Sequence, residues 1–130
     1  MPDASSAASE EVTPAPIDTE DAKLVILARA ARARIGAAQG AAVRDSTGRT
    51  YTASTVNLRT LRLSALQAAV AAAVSSGAEV LEAAAVVGTA EPDDEPALTE
   101  LGCPLLVVAD ASGTVLSVRH RRLGGTVSSA

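Results

Sequence analysis

Tyr51 is the only aromatic residue in 130 positions; the chain has no Phe and no Trp. Rings bury roughly 150–250 Å² each and dominate most cores. A core here has to be assembled from Leu, Val, Ile and the 29 alanines the chain carries. Small side chains let elements approach closely but remove little apolar area per residue. The sequence therefore predicts tightly spaced layers and an apolar surface partly covered by another copy of the chain, as a homo-oligomer. Lack of rings also argues against single-strand nucleic-acid binding on stacked aromatic platforms. With 48% hydrophobic and 20% charged residues, the composition suits one globular domain rather than global disorder.

The net charge of −4 hides an asymmetry. Residues 1–22 hold six acids (Asp3, Glu10, Glu11, Asp18, Glu20, Asp21) and no Lys or Arg, so the remainder carries nine acids against eleven bases. The boundaries read from this are a disordered acidic tail over 1–19, a folded domain over 20–123 and a disordered C-terminal tail over 124–130. No apolar run approaches the roughly 20 residues that span a bilayer, and Met1-Pro2-Asp3 opens no basic, apolar leader. A single cysteine, Cys103, excludes an internal disulfide framework and an all-thiolate zinc site within one chain. The expectation is a cytoplasmic protein with no membrane contact.

Apolar spacing at Leu24, Leu27, Ala28 and Ala31 predicts a first helix from about Asp21 to Ile35. Acids precede it, arginines end it and Gly36 stops it. Gly40 to Arg44 and Thr50 to Thr55 flank Asp45-Ser46-Thr47-Gly48-Arg49 and read as a hairpin. A loop through Asn57, Arg59 and Thr60 then leads to a helix over Ser64 to Ser75. Ser64-Ala65-Leu66-Gln67 is a capping box, and Gly77 is the C-terminal glycine. Leu66, Val70 and Val74 recur along that helix, and the alanines around them predict burial on every side. Leu81 to Thr89 and Pro104 to Ala109 are apolar strands, with a short helix over Ala97 to Leu101 between them. Asp110-Ala111-Ser112-Gly113 turns the chain into a last strand over Thr114 to Arg119. The order α-β-β-α-β-α-β-β predicts an α/β domain, a mixed sheet with helices on its faces.

Several strings in this order resemble the cytidine deaminase family, in its free-nucleoside branch of small zinc-dependent deaminases. Gly40-Ala41-Ala42-Val43 resembles the V-G-A-A string and Thr47-Gly48-Arg49 the D-G-R turn. Val86-Val87-Gly88 resembles the following strand, and Leu106-Val107-Val108-Ala109-Asp110 with Ser112-Gly113 the terminal hairpin. The resemblance covers roughly Ala22 to Arg119 and implies a three-layer α-β-α fold with a five-stranded mixed sheet. It also implies assembly as dimers or tetramers.

For chemistry, the resemblance implies three metal ligands holding an activated water, plus a glutamate that moves protons. At the C-A-E motif this chain has Ser64-Ala65-Leu66. Near the P-C-x-x-C motif it has Pro96-Ala97, without cysteine. The ribose-binding positions of C-N-V-E-N align with Ser54 and Val56; only Asn57 matches. The reading that follows is an inactive, non-enzymatic member without cofactor or metal, in which Ser64, Leu66 and Ala97 replace the catalytic motif. Ser54, Val56 and Asn57 then mark a vestigial pocket.

Simpler readings accompany each remaining feature. Ser64 is a helix cap, since its only candidate base, His120, lies near the final strand. Cys103 is a buried small side chain. Glu91-Pro92-Asp93-Asp94-Glu95 is a solvated loop. Arg59, Arg62, Arg119, Arg121 and Arg122 are surface charge, or else a site for phosphate or an RNA backbone, to which the planar Arg fork is suited. The sequence thus predicts a scaffold or protein-interaction role with an unknown protein partner. The alternatives are an active zinc-dependent cytidine deaminase and an RNA- or ribosome-associated binding module.

Overall fold

The computed structural model describes residues 17–90 and 94–121. Helix α1 spans Thr19–Ile35, two residues earlier than its apolar spacing marks, because Asp18 caps it by accepting from Glu20 N–H. It ends at Gly36, whose φ of 62° is left-handed. Strand β1 (Gly40–Asp45) pairs antiparallel with β2 (Thr50–Ser54) on one side and with β5 (Leu81–Val87) on the other. Strand β5 runs parallel to β6 (Leu105–Ala109), which pairs antiparallel with β7 (Val115–His120). The order β2-β1-β5-β6-β7 makes a five-stranded mixed sheet. The tail assignments over 1–16 and 124–130 fall outside the described residues, while Asp18 and Thr19 belong to the folded body.

Burial of both sheet faces explains the unbroken apolar runs. In β5, Leu81, Ala84 and Val86 face one core while Ala83, Ala85 and Val87 face the other. The second core lies under α1, through Leu24, Val25 and Ala28. The first lies under α2 (Ala65–Ser75) and α3 (Glu95–Glu100), through Leu66, Ala69, Val70, Ala73 and Leu98. The result is the expected α-β-α arrangement. Alanine permits its close spacing. At Gly40 even one added methyl would sit 2.0 Å from the Ala28 carbonyl oxygen of α1.

Three sequence-based details need correction. Helix α2 is buried along one stripe only, and Val74 is 49% exposed. Its alanines fill the outer face as well as the inner one, so apolar composition overstated its enclosure. The stretch read as a loop after Asn57 holds a two-stranded ribbon, β3 (Val56–Asn57) against β4 (Arg62–Leu63). Finally, the Leu81 strand stops at Val87, because Gly88 turns with φ 112°.

Candidate functional site

Beside the ribbon and the start of α2 lies a cleft of about 630 Å³. Its walls include Gln39, Thr55, Val56, Asn57, Arg62, Ser64, Gln67, Thr89 and Asp94. It opens where β5 ends and β1 begins, and the first turn of α2 forms its floor.

Ser64 holds that first turn in place. Its Oγ accepts from Gln67 N–H at 3.0 Å, and its own N–H donates to Gln67 Oε1 at 2.9 Å. Both halves of the capping box are therefore formed. Gln67 Oε1 is held on the helix side, which leaves its amide nitrogen as the end that can serve the cleft. Leu66, by contrast, is fully buried in the core under α2.

The remaining sequence-predicted residues disperse. Val56 and Asn57 line the cleft, but Ser54 Oγ donates to the Ala31 carbonyl at 2.6 Å and so is tied to α1. Ala97 packs against the core under α3. Arg62 lines the cleft with Nε donating to Leu58 O at 3.2 Å, and Arg59 is exposed. Arg119 and Arg121 lie elsewhere. Both bind the Glu95 carboxylate, at 2.7 and 3.3 Å. Arg121 also donates to the carbonyls of Cys103 and Glu95 and to Thr99 Oγ1. These two guanidiniums fasten α3 to the end of β7, Arg119 remaining half-exposed at the surface. Arg122 lies outside the described residues.

Cys103 is buried, its Sγ 3.4 Å from the Leu105 carbonyl, and burial pushes its thiol pKa up. It is an unreactive thiol by both measures. Asp94, expected in a solvated loop, is 1% exposed and lines the cleft; Glu91 to Asp93 lie outside the described residues.

Sequence reasoning missed Gln39. Its backbone N–H donates to Thr55 Oγ1 at 2.9 Å, and its carbonyl accepts from Thr55 N–H at 3.2 Å. Its side chain is buried, with Nε2 donating to the Thr89 carbonyl and Oε1 accepting from Ala65 N–H at 3.2 Å. Those partners are 50 and 26 residues away. No local pattern marks such a residue, beyond its being polar among the alanines before β1.

A family model described as cytidine deaminase-like matches residues 17–113. The chain belongs to the cytidine deaminase-like family. Among solved structures, cytidine deaminase from Mycobacterium tuberculosis is 29% identical with a TM-score of 0.60, covering 87% of this chain and 98% of that one. Cytidine deaminase from Burkholderia pseudomallei has a TM-score of 0.67 at 24% identity, over 79% of this chain and 92% of that one. The Mycobacterium leprae enzyme gives 0.62 at 22% identity, over 85% and 98%. The last two identities support the fold alone. No curated protein sequence matches the chain.

The resemblance brings with it a zinc ion, and the described residues at the positions of its ligands do not fit one. Ser64 offers a neutral hydroxyl already engaged in capping, Ala97 offers no donor, and Cys103 faces the core. Among the described residues, no three His, Cys, Asp or Glu side chains gather as a metal site. Structural and catalytic zinc sites alike need at least three such protein ligands. Nor is any helix among these residues long and apolar enough to cross a membrane.

Proposed function

We propose that this protein is a non-catalytic member of the cytidine deaminase-like family that serves as a scaffold or interaction module, assembled from copies of itself. The observation that carries the reading is Ser64. At the helix start where the resemblance implies a thiolate, the chain has a hydroxyl committed to the helix cap. Two residues on, where it implies a proton-moving glutamate, Leu66 is part of the core. A hydrolytic deaminase needs an activated water and a group to move protons. Neither position supplies one.

Exposed Val74 on α2, with Leu58 and Leu61 on the ribbon's connection, supports self-association. These side chains offer apolar area that a monomer leaves in water. An RNA-binding role draws less support, because Arg119 and Arg121 are engaged with Glu95. The test pairs metal analysis of the purified protein with a cytidine absorbance assay. We expect no turnover with or without added zinc. Stoichiometric zinc together with uridine formation would overturn the proposal. Light scattering tests the assembly, and a monomer at micromolar concentration would remove that part.

A further inference from the structure

Helix α1 covers only part of its side of the sheet. Asp21, in its first turn, meets Arg44 at 2.9 Å, and Arg44 stands opposite Ala83 in the first half of β5. Strand β6 starts at this same end, since it runs parallel to β5. From there α1 passes over β1 and β5 and only grazes β6. Arg29, farther along the helix, reaches the turn between β6 and β7: a Cβ at Gly113 would lie 3.4 Å from Arg29 Cδ. Ala22, Val25 and Arg29, spaced three and four apart, therefore form the side of α1 that faces the two outer strands. Val118 stands opposite Val107 of the second core and so points to this same face. Leu105, Val115 and Val118 are only half-buried there. The result is an apolar trough bounded by α1, β6 and β7.

The chain enters at the foot of this trough, where Ile17 packs against the second core immediately before Asp18, the cap of α1. We infer that residues 10–16 lie along the trough as an extended strap. Pro14 and Pro16 hold their own backbone extended and steer the residue before each the same way. Val12, Pro14 and Pro16 alternate with Thr13 and Ala15, so one side of the strap is apolar. An extended, proline-rich segment advances about 3.1 Å per residue, which carries Glu11 about 19 Å from Ile17. The helix rises about 15 Å between Thr19 and Arg29. Glu10 and Glu11 thereby come level with Arg29, which makes no ion pair or hydrogen bond among the described residues. Such an exposed pair adds little strength, but it fixes how far along the trough the strap lies. Modest apolar contact suffices, because a segment joined at the foot of the trough acts at an effective concentration of about millimolar. The trough is on the face of the sheet away from α2, so the strap leaves the surface that carries Val74 open.

The experiment places a nitroxide on full-length, ¹⁵N-labelled protein carrying Ala8→Cys; Cys103 is buried and escapes the reagent. We expect loss of the Gly113 and Thr114 amide signals, beside Arg29, and their return when the nitroxide is reduced. The His120 signal, beside the start of β6, and that of Gly77, beyond α2, should be retained. Val12→Asp should restore Gly113 and Thr114. Arg29→Glu should weaken the loss, and adding Glu10→Arg and Glu11→Arg to that variant should bring it back. A segment swinging freely about Ile17 would affect His120 at least as strongly as Gly113, and that result overturns the inference. So does a loss at Gly113 that neither Val12→Asp nor Arg29→Glu changes. Mixing nitroxide-labelled ¹⁴N protein with unlabelled ¹⁵N protein tests a neighbouring copy as the source of the strap. Loss at Gly113 in the mixture overturns an intramolecular strap. A stronger loss at Gly113 from a nitroxide on Ser129→Cys also overturns it, and assigns the trough to the C-terminal segment.

Discussion

Gly40→Ala isolates the closeness of the α1 layer, and its cost follows from three distances. The new methyl would lie 2.0 Å from the Ala28 carbonyl oxygen, 2.7 Å from Arg32 N and 2.8 Å from Arg32 Cβ. Comfortable separations between carbon atoms are about 3.5–4.0 Å, so the helix or the strand would have to withdraw by more than about 1 Å. No rotamer change relieves this, since two of the three atoms are backbone. Withdrawal would loosen Leu24, Val25 and Ala28 from the second core. Overpacking usually costs about 1–3 kcal/mol, and a backbone obstacle places this case at about 3 kcal/mol or above. For a folded body of about this size, that is a fall in Tm of about 12–24 °C.

Gly48→Ala is the control. Its φ is 92° and nothing lies within 4 Å of the added Cβ. Only the left-handed backbone is penalised there, by about 1–2 kcal/mol. Urea unfolding followed by far-UV circular dichroism measures both, since one tyrosine gives weak fluorescence. The reasoning fails if Gly40→Ala lies within about 1 kcal/mol of wild type, well below the overpacking range, or costs less than Gly48→Ala.

Three further outcomes are expected. Ser64→Ala removes the helix cap and should cost about 1 kcal/mol in urea unfolding, by loss of the Oγ bond to Gln67 N–H. Arg121→Met keeps the aliphatic stem but removes the bonds to Glu95, Thr99 and the Cys103 carbonyl. About 2 kcal/mol should be lost, with faster hydrogen exchange at Leu101 and Cys103, whose N–H groups close α3. Acid should destabilise the fold through its two hairpin turns. The Thr47 hydroxyl, with the Arg49 and Thr47 N–H groups, holds the Asp45 carboxyl below its ordinary value of 3.8. Hydrogen bonds led by the Ser112 hydroxyl do the same at Asp110. Depressed carboxylates contribute stability that is complete above the unfolded value and lost as pH falls through the folded one. Stability should therefore drop below about pH 4, and Asp45→Asn should flatten that limb in thermal scans from pH 2 to 6.

The elements legible in the sequence are those written in neighbouring residues. The Ser64 capping box spans four positions, and the apolar strands announce themselves because both faces are covered. The ribbon β3–β4 escaped because its two-residue strands carry no periodicity. Val74 follows the helical spacing yet stands in solvent, since alanine gives no sign of which side of a helix meets the sheet. At the cleft, Asn57 and Arg62 could be placed beforehand, whereas Gln39 and Asp94 could not. The Gln39 partners come from distant elements, and the burial of Asp94 depends on how α3 is seated. That seating in turn uses Glu95 with Arg119 and Arg121, partners 24 and 26 residues apart that resembled ordinary surface charge.

The Arg121 clamp also bears on how the chain comes together as it is synthesised. Helix α3 has only six residues, too short to persist alone in water. Leu98 seats it on the core, and its polar fastening arrives with the guanidinium that follows β7. During translation, the sheet can grow from β2 through β5 while α3 is held only by apolar contacts such as that of Leu98 and by the Leu81 N–H bond to the Leu101 carbonyl. The segment settles only once the C-terminal edge strand has emerged and paired with β6. A ribosome stalled before residue 121 would hold a nascent chain in which α3 still lacks its polar clamp.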